Sequence, residues 1–284
     1  SKGRYNIGIW YWELSEFPAR WLSAFRYYDE IWATSSYIAT CLSKISPVPI
    51  IKMGHPLFVN TDLIDQGARR RLGISGNQFV FLYSFDFLSV FERKNPISVL
   101  RAFRRAFDQE DDVLLVLHHI NRQADPQNAE RLRQASSGIN VRLIGDHLTE
   151  REYLSLLAAC DCYVSLHRSE GLGLTMAEAM YLGKPVIATA YSGNLDFMNV
   201  NNSLLVRYDL VELDRDYGPY EKGNLWAEPE SQHAGELMRW VYEEKEKAGE
   251  LGERARKDIM KLMDPDKVSR EIRCRLERIY SDFL

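Results

Sequence analysis

Two carboxylates, Glu170 and Glu178, flank a glycine-rich turn in the run Ser169-Glu170-Gly171-Leu172-Gly173-Leu174-Thr175-Met176-Ala177-Glu178-Ala179-Met180. The preceding Asp161 to His167 reads as a buried strand and Leu174 to Leu182 has helical spacing, so the glycines fall at a strand-to-helix junction. In open α/β sheets, ligands bind at that edge. Free backbone amides and the positive end of the helix dipole there favour a phosphate or a sugar hydroxyl, and Gly171 and Gly173 let a ligand approach the backbone closely. Glu178 lies one turn into the helix beside Ala177, Ala179 and Met180, where an ionised carboxylate is costly unless something donates hydrogen bonds to it. The competing reading is an ordinary α/β turn with two solvated glutamates.

The elements that must position this turn follow from the alternation of short apolar runs with amphipathic ones between about Gln78 and Val206, the pattern of a doubly wound parallel sheet. Strands are expected at Phe79 to Phe85, Val113 to His118, Val141 to Gly145, Cys162 to His167, Pro185 to Ala190 and Ser203 to Val206. Helices are expected at Pro96 to Phe107, Ala129 to Ala135, Glu150 to Ala159 and Leu174 to Leu182. Pro96 suits a first helical turn, where its missing amide costs nothing. Gly183 ends the motif helix and Lys184-Pro185 prevents its continuation.

With 284 residues, 45% of them hydrophobic, the chain is a globular protein with room for two domains. A formal net charge of −4 gives no bulk attraction to nucleic acid, so any phosphate must be held by local cations. No run approaches the roughly 20 apolar residues of a membrane span and Ser1 to Tyr5 is no signal peptide, so a soluble, cytoplasmic protein is expected. Peripheral association with the inner face of a membrane stays open, the Arg101, Arg104 and Arg105 face being more often solvated helix than lipid contact. Cys41, Cys160, Cys162 and Cys274 form no metal-ligand pattern and read as reduced core residues. His118-His119 and His167 close strands at the ligand edge. His167 is the stronger site candidate, because His167-Arg168 leads straight into the Glu170 turn.

The Glu170 and Glu178 spacing resembles the signature of the retaining, family 4-like glycosyltransferases of two-Rossmann-domain (GT-B) architecture, in which a Glu, seven residues and a second Glu mark the donor site. The resemblance implies an α/β fold: a Rossmann-like doubly wound parallel sheet (the GT-B donor domain) with a partial second Rossmann-like domain at the N-terminus. It also implies that Glu170 faces the transferred sugar, that Glu178 accepts hydrogen bonds from the ribose hydroxyls, and that the amides of Gly173, Leu174 and Thr175 hold sugar and phosphate.

The first sixty residues carry a second message. Asn6 to Trp10 reads as a strand, Ala19 to Tyr27 as a helix, Glu30 to Ala33 as a strand, and Ser36 to Ser43 as a helix leading to Pro49 to Gly54. This βαβα unit resembles the last part of the acceptor domain in the same family, the matching piece being Asp29 to Ser36. A full acceptor domain needs roughly 150 more residues, so the expectation is a piece of a longer enzyme or one half of a split one. The expected division is 1–55 for the end of the acceptor-side domain and 56–265 for the donor domain, with 266–284 a terminal helix crossing back. Where the family commonly carries a histidine loop, this chain has Trp12 and Glu13. Glu13 is a candidate contact to sugar or acceptor, against the alternative of an ordinary surface acid.

Donor domains of the family begin with a strand, a Gly-Arg pair and then a basic pair. Here Phe81 to Phe87 lacks the Gly-Arg pair, whereas Arg93-Lys94 precedes a helix start and can supply charge to a diphosphate. Asp86 stands in place of the usual cation and either touches the acceptor or fixes the loop. Ser192, Gly193 and Asn194 resemble the family's Ser-Gly-Gly loop and are candidates to reach donor sugar or acceptor. The implied reaction moves a sugar from a UDP-, GDP- or dTDP-linked donor to a hydroxyl of a glycan or lipid-linked acceptor, with retention. No metal or other cofactor is expected. Arg93, Lys94 and the turn amides stabilise the leaving diphosphate, each such donor being worth about 2.7 to 4 kcal/mol. The rival readings are a non-catalytic nucleotide-sugar-binding domain of a larger or split enzyme and a GT-B-like epimerase; a phosphorylase needs a pyridoxal lysine that has no place here.

From Asp209 to Glu228 the pattern reads as a long loop. Beyond Gln232, two or three amphipathic helices are expected, with Trp240, Val241, Leu251, Ile259 and Leu262 toward a core and Val268 to Leu284 the segment that crosses back.

Overall fold

The computed structural model describes residues 4–108 and 112–283; residues 1–3 and Leu284, included in the expected segments 1–55 and 266–284, lie outside the described residues. The amino-terminal part is a three-stranded parallel sheet of β1 (Ile7–Trp10), β2 (Glu30–Ala33) and β3 (Ile50–Lys52) in that order. Ala19–Tyr27, expected as a helix, winds as a 3-10 helix with only Phe25 buried. Helix α1 (Ser36–Ser43) starts where the Ser35 hydroxyl caps the amide of Ile38 at 3.2 Å.

The larger part begins with the short α2 (Ala68–Arg71) and then alternates β4 (Phe79–Asp86), α3 (Phe91–Lys94), α4 (Pro96–Ala106), β5 (Val113–Ile120), α5 (Pro126–Ala135), β6 (Val141–Ile144), α6 (Glu150–Ala159), β7 (Cys162–Ser165), α7 (Leu174–Tyr181), β8 (Val186–Thr189) and β9 (Leu204–Val206). The six strands pair in parallel in the order β6-β5-β4-β7-β8-β9. The sheet therefore grows outward from β4 to β6, then restarts at β7 on the other side of β4 and grows the opposite way. Right-handed crossovers in opposite directions put the connecting helices on opposite faces, which makes the sheet doubly wound. Side chains on successive positions of the central strands, Val80, Phe81 and Leu82 among them, are fully buried. That is why those runs are continuously apolar and do not alternate, and each such burial is worth about 1.5 to 3 kcal/mol.

The stretch from Asp209 to Glu228, read from sequence as a long loop, instead falls within an antiparallel hairpin of β10 (Tyr208–Glu212) and β11 (Leu225–Pro229). Its pairing is closed by residues up to 21 positions apart, from Tyr208 to Pro229, so no local turn signal announces it. Three helices follow: α8 (Ser231–Glu243), α9 (Lys245–Leu262) and α10 (Pro265–Phe283). Val241, Leu251 and Ile259 are buried and Trp240 packs against the main core, whereas Leu262 is exposed at the end of α9, contrary to its expected core position. Cys41, Cys160 and Cys162 are buried free thiols, and Cys274 departs from the expectation by lying exposed on α10. Among the described residues no helix is long and apolar enough to cross a membrane. Arg104 donates to the carbonyls of Ala135 and Ser137 at the end of α5, while Arg101 and Arg105 remain exposed.

The two parts meet through specific contacts. Glu30 of β2 is wholly buried and receives the Arg275 guanidinium of α10, the Trp32 indole at 2.6 Å and the Tyr5 phenol at 3.0 Å. Ser35 donates to the carbonyl of Gly171 at 2.6 Å, and the Asp196 carboxylate takes the amide of Ser36 and the ammonium of Lys52, both at 2.8 Å.

Candidate functional site

The loops after β4 and β7 leave adjacent strands at the point where the sheet reverses its direction of growth, the place where an open α/β sheet forms its ligand crevice. They are tied together: the amide of Arg168 donates to the carbonyl of Arg93 at 2.8 Å, and the Asn95 side chain donates to the carbonyl of Leu166 at 3.0 Å. This brings the basic pair to Glu170. Arg93 Nη1 stands 3.1 Å from Glu170 Oε2, and Lys94 Nζ pairs with Oε1 of the same carboxylate. Although burial opposes its charge, the two cations hold the Glu170 carboxyl at about 2, well below the usual range.

The two cations are not equivalent. Arg93 is 4% exposed and also donates to the carbonyls of Ser169 at 2.8 Å and Ser89 at 3.2 Å, so it braces the turn from behind. The Lys94 side chain keeps 18% exposure and is the one that solvent reaches. Burial lowers the pKa of Lys94, against the pull of Glu170. Asp86 accepts from the amide of Leu88 and the side chain of Asn121, both at 2.9 Å, and so fixes the loop.

Backbone conformation marks the same place. Val90 (φ 64°) and Asn95 (φ 53°) bracket α3, and Ser192 (φ 79°, ψ −147°) faces Glu170, whereas one further non-glycine residue of the described chain, Asn121, has positive φ. Left-handed values are strained for a β-branched residue such as Val90, and outliers of this kind persist where surrounding structure over-determines them. Gly173, the residue before α7, has φ 95°, a backbone conformation strained for any residue that carries a Cβ. A Cβ on Gly193 would collide with the carbonyl of Gly171. Both glycines are therefore required by the close turn.

Ser192, Gly193 and Asn194 are placed against the protein. The amides of Glu170 and Gly193 bond to the Ser192 hydroxyl (2.8 Å) and the Glu170 carbonyl (2.9 Å) respectively. Asn194 is fully buried, its Nδ2 donating to Thr189 and its Oδ1 lying 3.2 Å from His167 Nε2. His167 is fully buried too, with Nδ1 at 3.0 Å from Ser165, and burial lowers its pKa, so the neutral ring donates through Nε2 and supports the turn from beneath. Leu174 and Thr175 open α7, and the first amides of a helix have no intrahelical partners.

Glu178 lies one turn into α7 and accepts a hydrogen bond from Tyr153 of α6 at 3.2 Å. That one donor does not offset its burial, and desolvation pushes its carboxyl up to about 7. Sequence reasoning did not find Tyr153, because only the fold brings α6 beside α7.

From the amino-terminal side, the Ser169 hydroxyl donates to the carbonyl of Glu13, and Trp12 is buried above Gly171. Glu13 accepts from the Tyr220 phenol at 2.9 Å. Tyr220 was also missed, its loop carrying no pattern of its own. Beside Ser192 a cleft of about 380 Å³ opens between the two parts, lined by Ser36, Tyr37, Lys44, Tyr191 and Leu195 among others. Among the described residues no group of three or more acidic, histidine or cysteine side chains could hold a metal ion.

Residues 66–258 match the family described as Glycosyl transferases group 1. A stretch of 108 residues is 32% identical to the trehalose synthase of Pyrococcus horikoshii and covers 35% of this chain and 26% of that protein. Among solved structures, HepE of Anabaena in complex with UDP and glucose superimposes with a TM-score of 0.72 at 18% identity, over 90% of this chain and 65% of that one. Sucrose-phosphate synthase of Thermosynechococcus elongatus gives a TM-score of 0.67 at 19% identity, over 90% and 59%. A glycosyltransferase of Rickettsia africae gives 0.71 at 14% identity, over 98% and 70%. The chain thus spans about a quarter of the curated relative and less than two thirds of HepE. At these identities the structures show a shared fold, and the family match, which takes in the Arg93-Lys94 loop and both glutamates of the turn, shows more: the chain belongs to the group 1 glycosyl transferases.

Proposed function

We propose that this chain carries the donor half of an enzyme that moves a sugar from a nucleoside-diphosphate sugar, UDP-, GDP- or dTDP-linked, to a hydroxyl of a glycan or lipid-linked acceptor, with retention at the anomeric carbon. The observation that carries the reading is the pairing of Glu170 with Arg93 and Lys94 at the sheet's reversal point, with Glu178 one turn inside the adjoining helix. Lys94 exchanges the Glu170 carboxylate for the incoming diphosphate, and Arg93 adds its field from behind. The amides of Gly173, Leu174 and Thr175 take sugar and phosphate oxygens, Glu170 faces the sugar, and Glu178 accepts from the ribose hydroxyls. Ser192, Gly193, Asn194 and His167 hold the turn in shape.

In the transfer, the bond from the anomeric carbon to the diphosphate breaks with its electron pair on the phosphate oxygen. The acceptor oxygen bonds that carbon, and its proton passes to the released diphosphate. Fixed cations and the helix terminus carry the leaving-group charge in this reading, so no divalent ion is needed. HepE, whose structure holds UDP and glucose, supports a nucleotide-sugar donor.

Residues 1–55 form the end of an acceptor-side domain, 56–265 the donor domain, and 266–284 a helix returning to the first part, a division supported by the Arg275 to Glu30 contact. Four free thiols support a reducing, cytoplasmic compartment. A second reading, nucleotide-sugar binding without transfer by this chain alone, is favoured by the share of HepE that it leaves uncovered.

Calorimetric titration in EDTA with UDP, GDP, dTDP and their sugars, alongside Glu178→Ala, tests the donor site. Selective binding lost in the variant is expected. Absence of binding to every one of these nucleotides overturns the reading.

A further inference from the structure

The β10–β11 hairpin plays no part in the proposed transfer, yet it is tied to the Glu170 loop at its base and to the amino-terminal part at its far end. At its base Arg168, the residue two before Glu170, pairs with Glu228 at 2.6 Å through Nε and lies 5.1 Å from the Trp226 ring, while the amide of Ala227 donates to the Arg168 carbonyl at 2.9 Å. At its far end Arg20 of the amino-terminal part donates to the Pro219 carbonyl at 3.2 Å and pairs with Glu221 at 3.4 Å. Between these ties, Trp12, Leu14, Cys41, Leu213, Tyr220 and Trp226 form a small apolar core separate from the main one.

Tyr220 is the polar member of that core. It is 3% exposed, its ring lies 5.4 Å from the Trp12 ring, and the Arg93 guanidinium stands 5.9 Å from the ring centroid. Its phenol donates to Glu13 at 2.9 Å, and the Glu13 main chain takes the Ser169 hydroxyl. One side chain thus bonds the carboxylate of a residue whose main chain is tied to the turn, and presents its ring to the guanidinium that braces the turn. Phenylalanine would fill the same apolar space without the cost of burying a hydroxyl. The hydroxyl has a purpose if the Glu13 carboxylate must be held in one orientation.

We propose that Tyr220 is a positioning residue: it holds Glu13 over the Arg93 and Glu170 pair so that the Glu13 carboxylate accepts a hydroxyl of the donor sugar. This rests on the donor-site reading above and adds a sugar contact reached through a hairpin that the Glu170 motif does not include. The sugar, and not the nucleotide, is what the pair recognises.

The test is calorimetry on the full chain with UDP, GDP and dTDP and with UDP-, GDP- and dTDP-glucose, comparing wild type, Tyr220→Phe, Glu13→Gln and the double variant, each checked by its melting temperature. Loss of a charge-assisted hydrogen bond predicts that each single variant weakens sugar-nucleotide binding about tenfold. The expected pattern leaves the affinity for the bare nucleotide unchanged, and the double variant is no worse than either single one, because both remove the same contact. Unchanged sugar-nucleotide affinity in Tyr220→Phe overturns the proposal and leaves the donor site standing, as does an equal loss for nucleotide and sugar nucleotide, the mark of a merely structural role. A wild-type chain that binds no nucleotide overturns both.

Discussion

The amide of Glu170 donates to the hydroxyl of Ser192 at 2.8 Å, and Ser192 makes that bond from a backbone conformation, φ 79° and ψ −147°, that glycine occupies far more readily than any other residue. The serine oxygen satisfies a buried donor from this strained position. Ser192→Ala keeps the strain and orphans the amide, a loss of about 1 to 3 kcal/mol. Ser192→Gly orphans the same amide and releases the strain. The glycine variant should therefore melt above the alanine variant in thermal unfolding, and the reverse order would remove the argument from strain.

The Glu178 carboxyl, raised to about 7 by burial, makes two pH dependences. Its folded pKa lies above its unfolded value, so the stability it contributes is fully present below about 4.5 and is lost as pH rises toward about 7. Ribose hydroxyls donate best to the ionised form, so nucleotide affinity should rise between pH 5.5 and 8. Titrations across that range should show the rise in wild type and a flat profile in Glu178→Gln. Tyr153→Phe removes the donor that lowers this pKa and should move the midpoint upward.

Glu170 runs the other way. Its carboxyl is held at about 2, so the stability of its pairs is present above about 4.5 and is lost as pH falls toward about 2. Glu170→Gln leaves Arg93 and Lys94 without their counter-charge, and breaking a buried pair in this manner costs about 3 to 5 kcal/mol. A diphosphate bound at the same cations would restore part of it. UDP should raise the melting temperature of Glu170→Gln by more than it raises that of wild type, and an equal or smaller increment would separate the nucleotide from this pair.

The buried Glu30 gives a test that involves no ligand. Arg275→Ala leaves a fully buried carboxylate with only the Trp32 and Tyr5 donors, and the expected loss is about 3 kcal/mol in urea unfolding. Arg275→Ala combined with Glu30→Gln removes the unpaired charge and should recover part of that loss. If the double variant is no more stable than the single one, the charge is not what Arg275 neutralises.

How far the sequence reached depended on how local each signal was. The strand at Glu30 to Ala33 and the helices at Ser36 to Ser43 and Glu150 to Ala159 have the expected bounds, since each is set by its own apolar spacing and by a cap such as the Thr149 hydroxyl with Glu152. The motif singled out Arg93, Lys94 and Glu170 one by one, but neither their pairing nor the division of labour between the two cations was legible, because both depend on which side chains the fold brings together and buries. Tyr153 and Tyr220 were out of reach. Their partners lie 25 and 207 positions away, and nothing local marks a tyrosine whose hydroxyl will be needed. The hairpin failed for the same reason as Leu262: pairing and exposure there are decided by neighbours distant in sequence.

The small core around Tyr220 joins residues near position 12 to residues near position 220, among the longest sequence separations of any packed cluster in the described chain. Closing so large a loop costs entropy before any contact rewards it, so clusters of this kind form late, after the local strand and helix pairs of the sheet have condensed. During synthesis, the loop bearing Glu13 is made 207 residues before the tyrosine that holds its carboxylate. The turn with Glu170 also precedes Tyr220 in the chain, so it can take shape while the Glu13 carboxylate is still free, and the hairpin is the latch that fixes that carboxylate afterwards.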